Sequence, residues 1–323
     1  MKARTQTHRI ASIDLGTNTI LLLVAELREG GNFVVLDDRA QITRLGEGVD
    51  RTSLLNESAQ HRTLAALKDF AERCRALGVN EVVAVGTSAL RDAANRDEFK
   101  RRLQDECGWQ LRVLTGEEEA RYSFSAVCGG LSVNGRDVMA IDVGGGSTEM
   151  IWGKDGTIAG WTSMQLGSVR LTERYLVDDP PTEEECRRVT TAVDQEIAKQ
   201  RAALSGMKLQ TAVGIAGTFT TLAAVTKRLE VYSHAEVHGS RLKRAEVERL
   251  IELFKGKTAA ERKRIPGLDP GRADVILAGA LLIDRIMAFF AVGEVVVSDQ
   301  GVRYGLLYEK LKEKYHQPEA AIP

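Results

Sequence analysis

The chain offers almost no charge imbalance to interpret. Its 44 Lys and Arg against 45 Asp and Glu leave a formal charge of −1, with a sequence pI near 6.6. That removes any global electrostatic case for nucleic acid or an anionic membrane, so an anionic ligand must find its cations locally. Cysteine is scarce: Cys74, Cys107, Cys128 and Cys186 include no CxxC pair, so zinc and redox motifs lack support and free thiols in a reducing compartment are expected. The opening MKARTQTHRIAS holds no apolar segment of the signal-peptide kind. The most apolar window, Val275–Val292, carries Asp284 and Arg285 in its middle, which reads as a buried helix and not a membrane span. A cytoplasmic protein with no nucleic-acid or membrane partner is the expectation.

What is present is a core-forming chain with a repeated order. Its 323 residues, 43% of them hydrophobic, are enough for about two domains. Ile10–Leu15, Thr19–Glu26 and Phe33–Asp38 read as an antiparallel meander. A helix follows with Leu64, Leu67, Phe70, Ala71 and Cys74 on one stripe and Gly78 past its end. Strand Glu81–Thr87, a helix around Asn95–Cys107, strand Leu111–Leu114 and a helix from about Thr115 complete the first set. Three strands then recur at Val138–Val143, Thr148–Trp152 and Thr157–Ser163. After them come helices over Thr182–Ala203, near Thr218, Arg244–Lys255 and Asp274–Phe290, strands Thr211–Gly217 and Glu294–Asp299, and a last helix Gly301–Glu313. The pattern predicts a duplicated α/β fold, with domain I over 1–129, domain II over 130–300, and the final helix, 301–313, packing back on domain I. The small, polar link Gly129–Gly135 marks the expected boundary, with a hinge expected near residues 128–135, and two facing domains imply a ligand cleft.

Each copy opens on a related turn, IDLGTNT (Ile13–Thr19) and IDVGGGST (Ile141–Thr148). A glycine hairpin exposes backbone N–H groups that converge on an anion, because glycine permits left-handed backbone and close approach. Gly16, Thr17, Asn18 and Thr19 in the first turn, and Gly144, Gly145, Gly146 and Ser147 in the second, are therefore candidate phosphate contacts. Asp14 and Asp142 end the preceding strands; a carboxylate beside a phosphate calls for a hard cation such as Mg²⁺ between them. The alternative is that each aspartate merely caps its own turn. Ser88 and Arg91 lie just beyond a strand end, where Arg91 either clamps phosphate or pairs with Asp92 or Asp97. Gly217 and Thr218 form either a second anion site at a helix start or an ordinary cap by Thr218. Of Glu117, Glu118 and Glu119, at most one is expected to activate water; the rest serve the helix dipole. Arg170, Arg174, Lys243, Arg244 and Glu261–Arg264 supply scattered charge read as solvated helix faces, and His234 and His238 read as local packing.

These stretches, with SMQLGSVRLTERYL, PGLDPGRADVILAGA and VSDQGVRYGLLYE, resemble the exopolyphosphatase/guanosine-pentaphosphate phosphatase family of the actin-like superfamily. The resemblance implies two actin-like (ribonuclease H-like) domains with an interdomain cleft, and Mg²⁺-dependent hydrolysis of a terminal phosphoanhydride. Glu119 matches the family's base, Asp142 the carboxylate that organises metal and water, and Glu149 a second acid; Asp142, Glu149 and Asp14 are the expected metal set. The implied substrate is polyphosphate or the guanosine polyphosphate pppGpp, and the implied assembly is a homodimer. A nucleotide-binding sensor with little turnover is the alternative from another class. The chain ends at Pro323, without the helical C-terminal region of long family members, which points to shorter polymers or pppGpp. Gln300 and Tyr304 stand where the family commonly has a basic and an acidic residue.

Overall fold

The computed structural model describes residues 8–28, 30–204 and 209–315. Most of the opening segment and the chain end discussed above lie outside them. No helix among the described residues is long and apolar enough to cross a membrane. The chain divides into two compact units, Met1–Thr115 with Val302–Pro323, and Gly116–Gly301.

The first unit begins with strands β1 (His8–Leu15), β2 (Thr19–Arg28) and β3 (Asn32–Ile42). Helices α1 (Val49–Thr52) and α2 (Glu57–Ala76) lead to β4 (Glu81–Gly86), and α3 (Ser88–Asp92) and α4 (Arg96–Cys107) lead to β5 (Leu111–Val113). The sheet order is β3-β2-β1-β4-β5, antiparallel over the meander and parallel from β1 to β4 to β5. Asn56 starts α2 by accepting the Ala59 N–H at 2.7 Å, and Gly78 follows its end with φ 62°. The stripe Leu64, Leu67, Phe70 and Cys74 packs on Ala11, Ile13 and Leu15 of β1. Period-2 alternation sends Ser12 and Asp14 to the opposite face.

The second unit starts with α5 (Gly116–Gly130), then β6 (Asp137–Val143), β7 (Thr148–Lys154) and β8 (Thr157–Met164). Then come α6 (Ser168–Tyr175), α7 (Glu183–Gln200), β9 (Thr211–Ile215), α8 (Ala216–Lys227) and α9 (His234–Val237). The unit continues through β10 (Arg241–Lys243), α10 (Arg244–Lys255), α11 (Ala259–Arg262), α12 (Ile276–Phe289) and β11 (Glu294–Val297). The order β10-β11-β9-β6-β7-β8 repeats the first sheet with β6, β7, β8, β9 and β11 in the places of β1, β2, β3, β4 and β5, plus one edge strand. The last helix, α13 (Val302–Tyr315), belongs to the first unit and packs on β1 and β2. Ser12 Oγ donates to the Arg303 carbonyl at 2.7 Å, and the buried Arg303 guanidinium holds Asp38 at 3.0 Å.

The division falls at Thr115/Gly116, ahead of α5, whereas the sequence reading put it at 129/130. The reason is packing: Ala120, Phe124 and Val127 of α5 share a core with Val138, Ala140, Ile151, Val213 and Ile215 of the second sheet. Its opposite face packs Met139, Ile141, Val143 and Met150 against α7, α8, α10 and α12.

His234 and His238 do more than fill space. Both donate ring N–H to Asp299, just past β11, and His238 Nε2 donates to the Gly130 carbonyl at 3.0 Å. A protonated ring satisfies the carboxylate and the carbonyl together, one from each nitrogen, and Ser298 Oγ also lies 3.3 Å from Nδ1. The Asp299 hydrogen bond accordingly raises the His238 pKa, and burial opposes it. His238 therefore contributes stability in full below its ordinary value near pH 6.5, a contribution lost as pH rises through the raised folded value. Between pH 6 and 9 the wild-type melting temperature should fall more than that of His238→Gln; equal falls would show that the imidazolium contributes nothing.

Candidate functional site

In the second unit the site is built around the C-terminal end of β6. Asp142 pairs directly with Glu149 of β7, so both side chains project to the same face, the one that carries Ala140 and Ile151 and is covered by α5. On α5, Glu119 and Ser123 are four residues apart and share one side. Ser123 Oγ donates to Asp142 Oδ2 at 2.7 Å, and Ser163 Oγ on β8 donates to Glu149 Oε1 at 2.8 Å. Asp142, Glu149 and Glu119 are all buried. Burial, then the charge of Glu119, push the Asp142 pKa up to about 7, with the Ser123 hydrogen bond acting the other way. Of the three acids at the start of α5, Glu117 is exposed, Glu118 half-buried and Glu119 buried, so packing of α5 on the sheet selects Glu119.

The glycine turn after β6 has an unusual distribution of hydrogen bonds. The Gly144 carbonyl accepts from Ser168 N, the Gly145 carbonyl from Val169 N and Arg170 N, and the Gly146 carbonyl from Arg170 Nε at 2.8 Å. A trans peptide points its N–H opposite to its carbonyl. The N–H groups of Gly145, Gly146 and Ser147 therefore face away from α6, and none donates to a main-chain carbonyl among the described residues. Gly167 permits the contact: a Cβ there would sit 2.4 Å from the Gly145 backbone. None of the turn's glycines has a positive φ, so they serve close approach and not left-handed backbone. Arg170, read from sequence as a solvated face, is instead a tie on the turn.

β9 ends beside β6, with Asp142 opposite Ile215. There Ala216 has φ 69°, a strained value for alanine at the entry to α8. Thr218 does not cap α8; its Oγ1 donates to the Val143 carbonyl at 3.3 Å. The Arg272 guanidinium occupies the space a side chain at Gly217 would need, with Nη2 only 2.2 Å from the place of a Cβ.

The first unit repeats the device with different residues. Gly16 N donates to Thr19 O at 3.1 Å, matching Gly144 N to Ser147 O at 3.0 Å. The Thr17 carbonyl accepts from Gly46 N, and the Asn18 carbonyl from Thr43 N and Arg44 N. The same peptide geometry turns the Asn18 and Thr19 N–H groups away from that loop. Asn18 Nδ2 and Ser88 Oγ are buried donors with no hydrogen-bond partner among the described residues. Asp14 is buried at the end of β1, and the β1–β4 register sets Leu15 opposite Gly86, so Ser88 and Arg91 start from the same sheet edge. Arg91 Nη1 donates to Leu114 O at 3.2 Å.

Among the described residues no group of three or more His, Cys, Asp or Glu is placed to hold a metal ion. The donor chemistry of the second unit still fits a divalent cation. Mg²⁺ takes one or two carboxylates and completes its shell with waters and phosphate oxygens. Asp142 and Glu149 are paired and buried; burial and then the charge of Glu119 raise the Asp142 pKa, and a cation there would offset that charge.

A duplicated sheet of this order, with a hairpin of outward-facing N–H groups after the first strand of each copy, defines the actin-like class of phosphoryl-handling folds. The match to the Ppx/GppA phosphatase family spans residues 23–314. Exopolyphosphatase 2 of Mycobacterium tuberculosis is 37% identical over 286 residues, 86% of this chain and 89% of that protein. The crystal structure of the Aquifex aeolicus member of the Ppx/GppA family aligns with TM-score 0.80 and 34% identity, covering 97% of this chain and 100% of its own. An exopolyphosphatase from Cytophaga hutchinsonii aligns with TM-score 0.88 and 28% identity, covering 95% and 98%. The chain belongs to the Ppx/GppA phosphatase family and is a phosphoanhydride hydrolase.

Sequence reasoning missed Ser123, Ser163, Gly167 and Arg272, and gave Arg170 the wrong role. Only Ser123 carried a signal, its i+4 spacing from Glu119. Replacing Arg170 by Ala should raise KM for the phosphate substrate about tenfold through one lost charge-assisted hydrogen bond. Gly167→Ala should do the same through backbone collision. An unchanged KM in both variants, each with a wild-type melting temperature, would separate the tie from substrate binding.

Proposed function

We propose that the protein is an exopolyphosphatase that releases orthophosphate from the end of inorganic polyphosphate. The observation that carries this reading is the conjunction, within one unit, of three outward N–H groups beside three buried carboxylates: the first suits phosphate oxygens, the second a cation and a water. The names of relatives at 30–37% identity support the substrate.

In this reading the N–H groups of Gly145, Gly146 and Ser147 bind the equatorial oxygens of the terminal phosphate, where charge gathers as the bond to the leaving oxygen lengthens. Asp142 and Glu149 would hold a divalent ion such as Mg²⁺, which when bound neutralises phosphate charge. Glu119 accepts a proton from the attacking water at its carboxylate, and Ser123 and Ser163 fix the oxygens of Asp142 and Glu149 that they touch. In the first unit Asn18, Thr19, Ser88 and Arg91 form a set of phosphate donors of their own, and Asp14 is the counterpart of Asp142.

Phosphate release from polyphosphate should need a divalent ion and stop on chelation. Glu119→Gln should lower kcat by roughly a hundred- to ten-thousand-fold, with KM changed little. Release by Glu119→Gln at the wild-type rate would remove this carboxylate from the chemistry.

A further inference from the structure

The face that α5 turns to the second sheet follows from helical spacing: Gly116, Glu119, Ala120, Ser123, Phe124 and Val127 stand at i, i+3, i+4, i+7, i+8 and i+11. Ala120, Phe124 and Val127 pack in the core under the helix, Ser123 holds Asp142, and Glu119 is the buried acid whose charge acts on Asp142. Gly116 heads the same stripe and has no side chain with which to reach the sheet. The sheet reaches it instead. A Cβ on Gly116 would lie 3.5 Å from Trp161 Cζ3, 3.8 Å from Trp161 Cη2 and 3.9 Å from Ser163 Cβ, all ordinary van der Waals separations. Trp161 and Ser163 alternate to the same face of β8, in register with Ile151 and Glu149 of β7. Ser163 already serves the acids, since its Oγ donates to Glu149. Its neighbour on that face, Trp161, stands on the edge strand of the sheet and is 37% exposed, so only part of the indole is buried. The six-membered ring of that indole faces the first turn of the helix that carries Glu119.

We propose that Trp161 is a positioning residue for the hydrolysis: its indole seats the first turn of α5 and so sets where the Glu119 carboxylate stands against Asp142 and Glu149. The inference rests on the reading of Glu119 as the base. The core contacts of α5 begin at Ala120; ahead of them, the glycine contact is where the first turn meets the sheet. Glycine has no rotamer to take up slack, so a shift of the indole passes to the helix backbone itself. A misplacement of about 1 Å at a reacting group is enough to cost about a hundredfold in rate. The glycine turn after β6 is tied separately, by residues 168–170, so the seat acts on proton transfer and not on phosphate binding.

In polyphosphate hydrolysis Trp161→Ala should lower kcat about ten- to a hundredfold with KM changed little. Trp161→Phe, which keeps a ring beside Gly116, should retain most of the rate, and Trp161→Leu serves where Trp161→Ala does not fold. Gly116→Leu alone should also lower kcat, because the longer side chain meets the indole and lifts the turn. Combined with Trp161→Ala, it should recover part of the lost rate by refilling the space the indole leaves. Amide exchange over residues 116–124 should quicken in Trp161→Ala and slow again in the double variant. Wild-type kcat in Trp161→Ala overturns the proposal, and so do losses that simply multiply in the double variant. If wild type releases no phosphate from polyphosphate, or Glu119→Gln releases it at the wild-type rate, the functional reading fails instead. The exchange measurement then still decides whether the indole seats α5, and unchanged exchange in Trp161→Ala overturns that.

Discussion

A peptide group cannot present its carbonyl and its N–H on the same side, and the site depends on that constraint. In the second unit every carbonyl from Gly144 to Gly146 is engaged by residues 168–170 at the start of α6. In the first unit the carbonyls of Thr17 and Asn18 are engaged by residues 43–46. Both turns are thereby locked with their donors outward before any ligand arrives. The ordering entropy is met by folding, so binding an anion need not supply it again. The supporting residues differ between the units, a helix start in one and a loop in the other, yet the result is the same.

The carboxylates obey a second constraint. Period-2 alternation along β6 and β7 sets Asp142 and Glu149 on the α5 face, and the 3.6-residue helical period sets Glu119 and Ser123 on the side of α5 that meets them. Three acids share a buried region, and burial first, then the charge of Glu119, pushes the Asp142 pKa up to about 7. A site that crowds negative charge next to outward N–H groups has opposite polarities a few residues apart. That is the polarity needed to hold a phosphate on one side and a cation and water on the other.

The order of strands and helices was largely legible in the sequence, because alternation and helical stripes are local. The stripe from Leu64 to Cys74 packs as its spacing requires, and the two related turns foretold a duplicated sheet. The ownership of α5 was not legible. Glycine and polar content at 129–135 resembles a linker, but ownership is decided by what Phe124 and Val127 pack against. The glycines illustrate the same limit: the turn needed them for approach to α6 and not for positive φ.

The sequence by itself determined which chemical groups are available and where each sits in its own element. It contained two Asp-led glycine turns, an acidic helix start with Glu119 in its third acidic place, and a charge total too balanced for any global attraction. Only the tertiary structure decided which acid is buried, which carbonyls the turns give up, and that Arg170 ties Gly146 while Trp161 meets Gly116. The physical reason is range. Helical and strand periods act over a few residues, whereas burial, hydrogen-bond direction and local charge density depend on segments that meet only after the chain has folded.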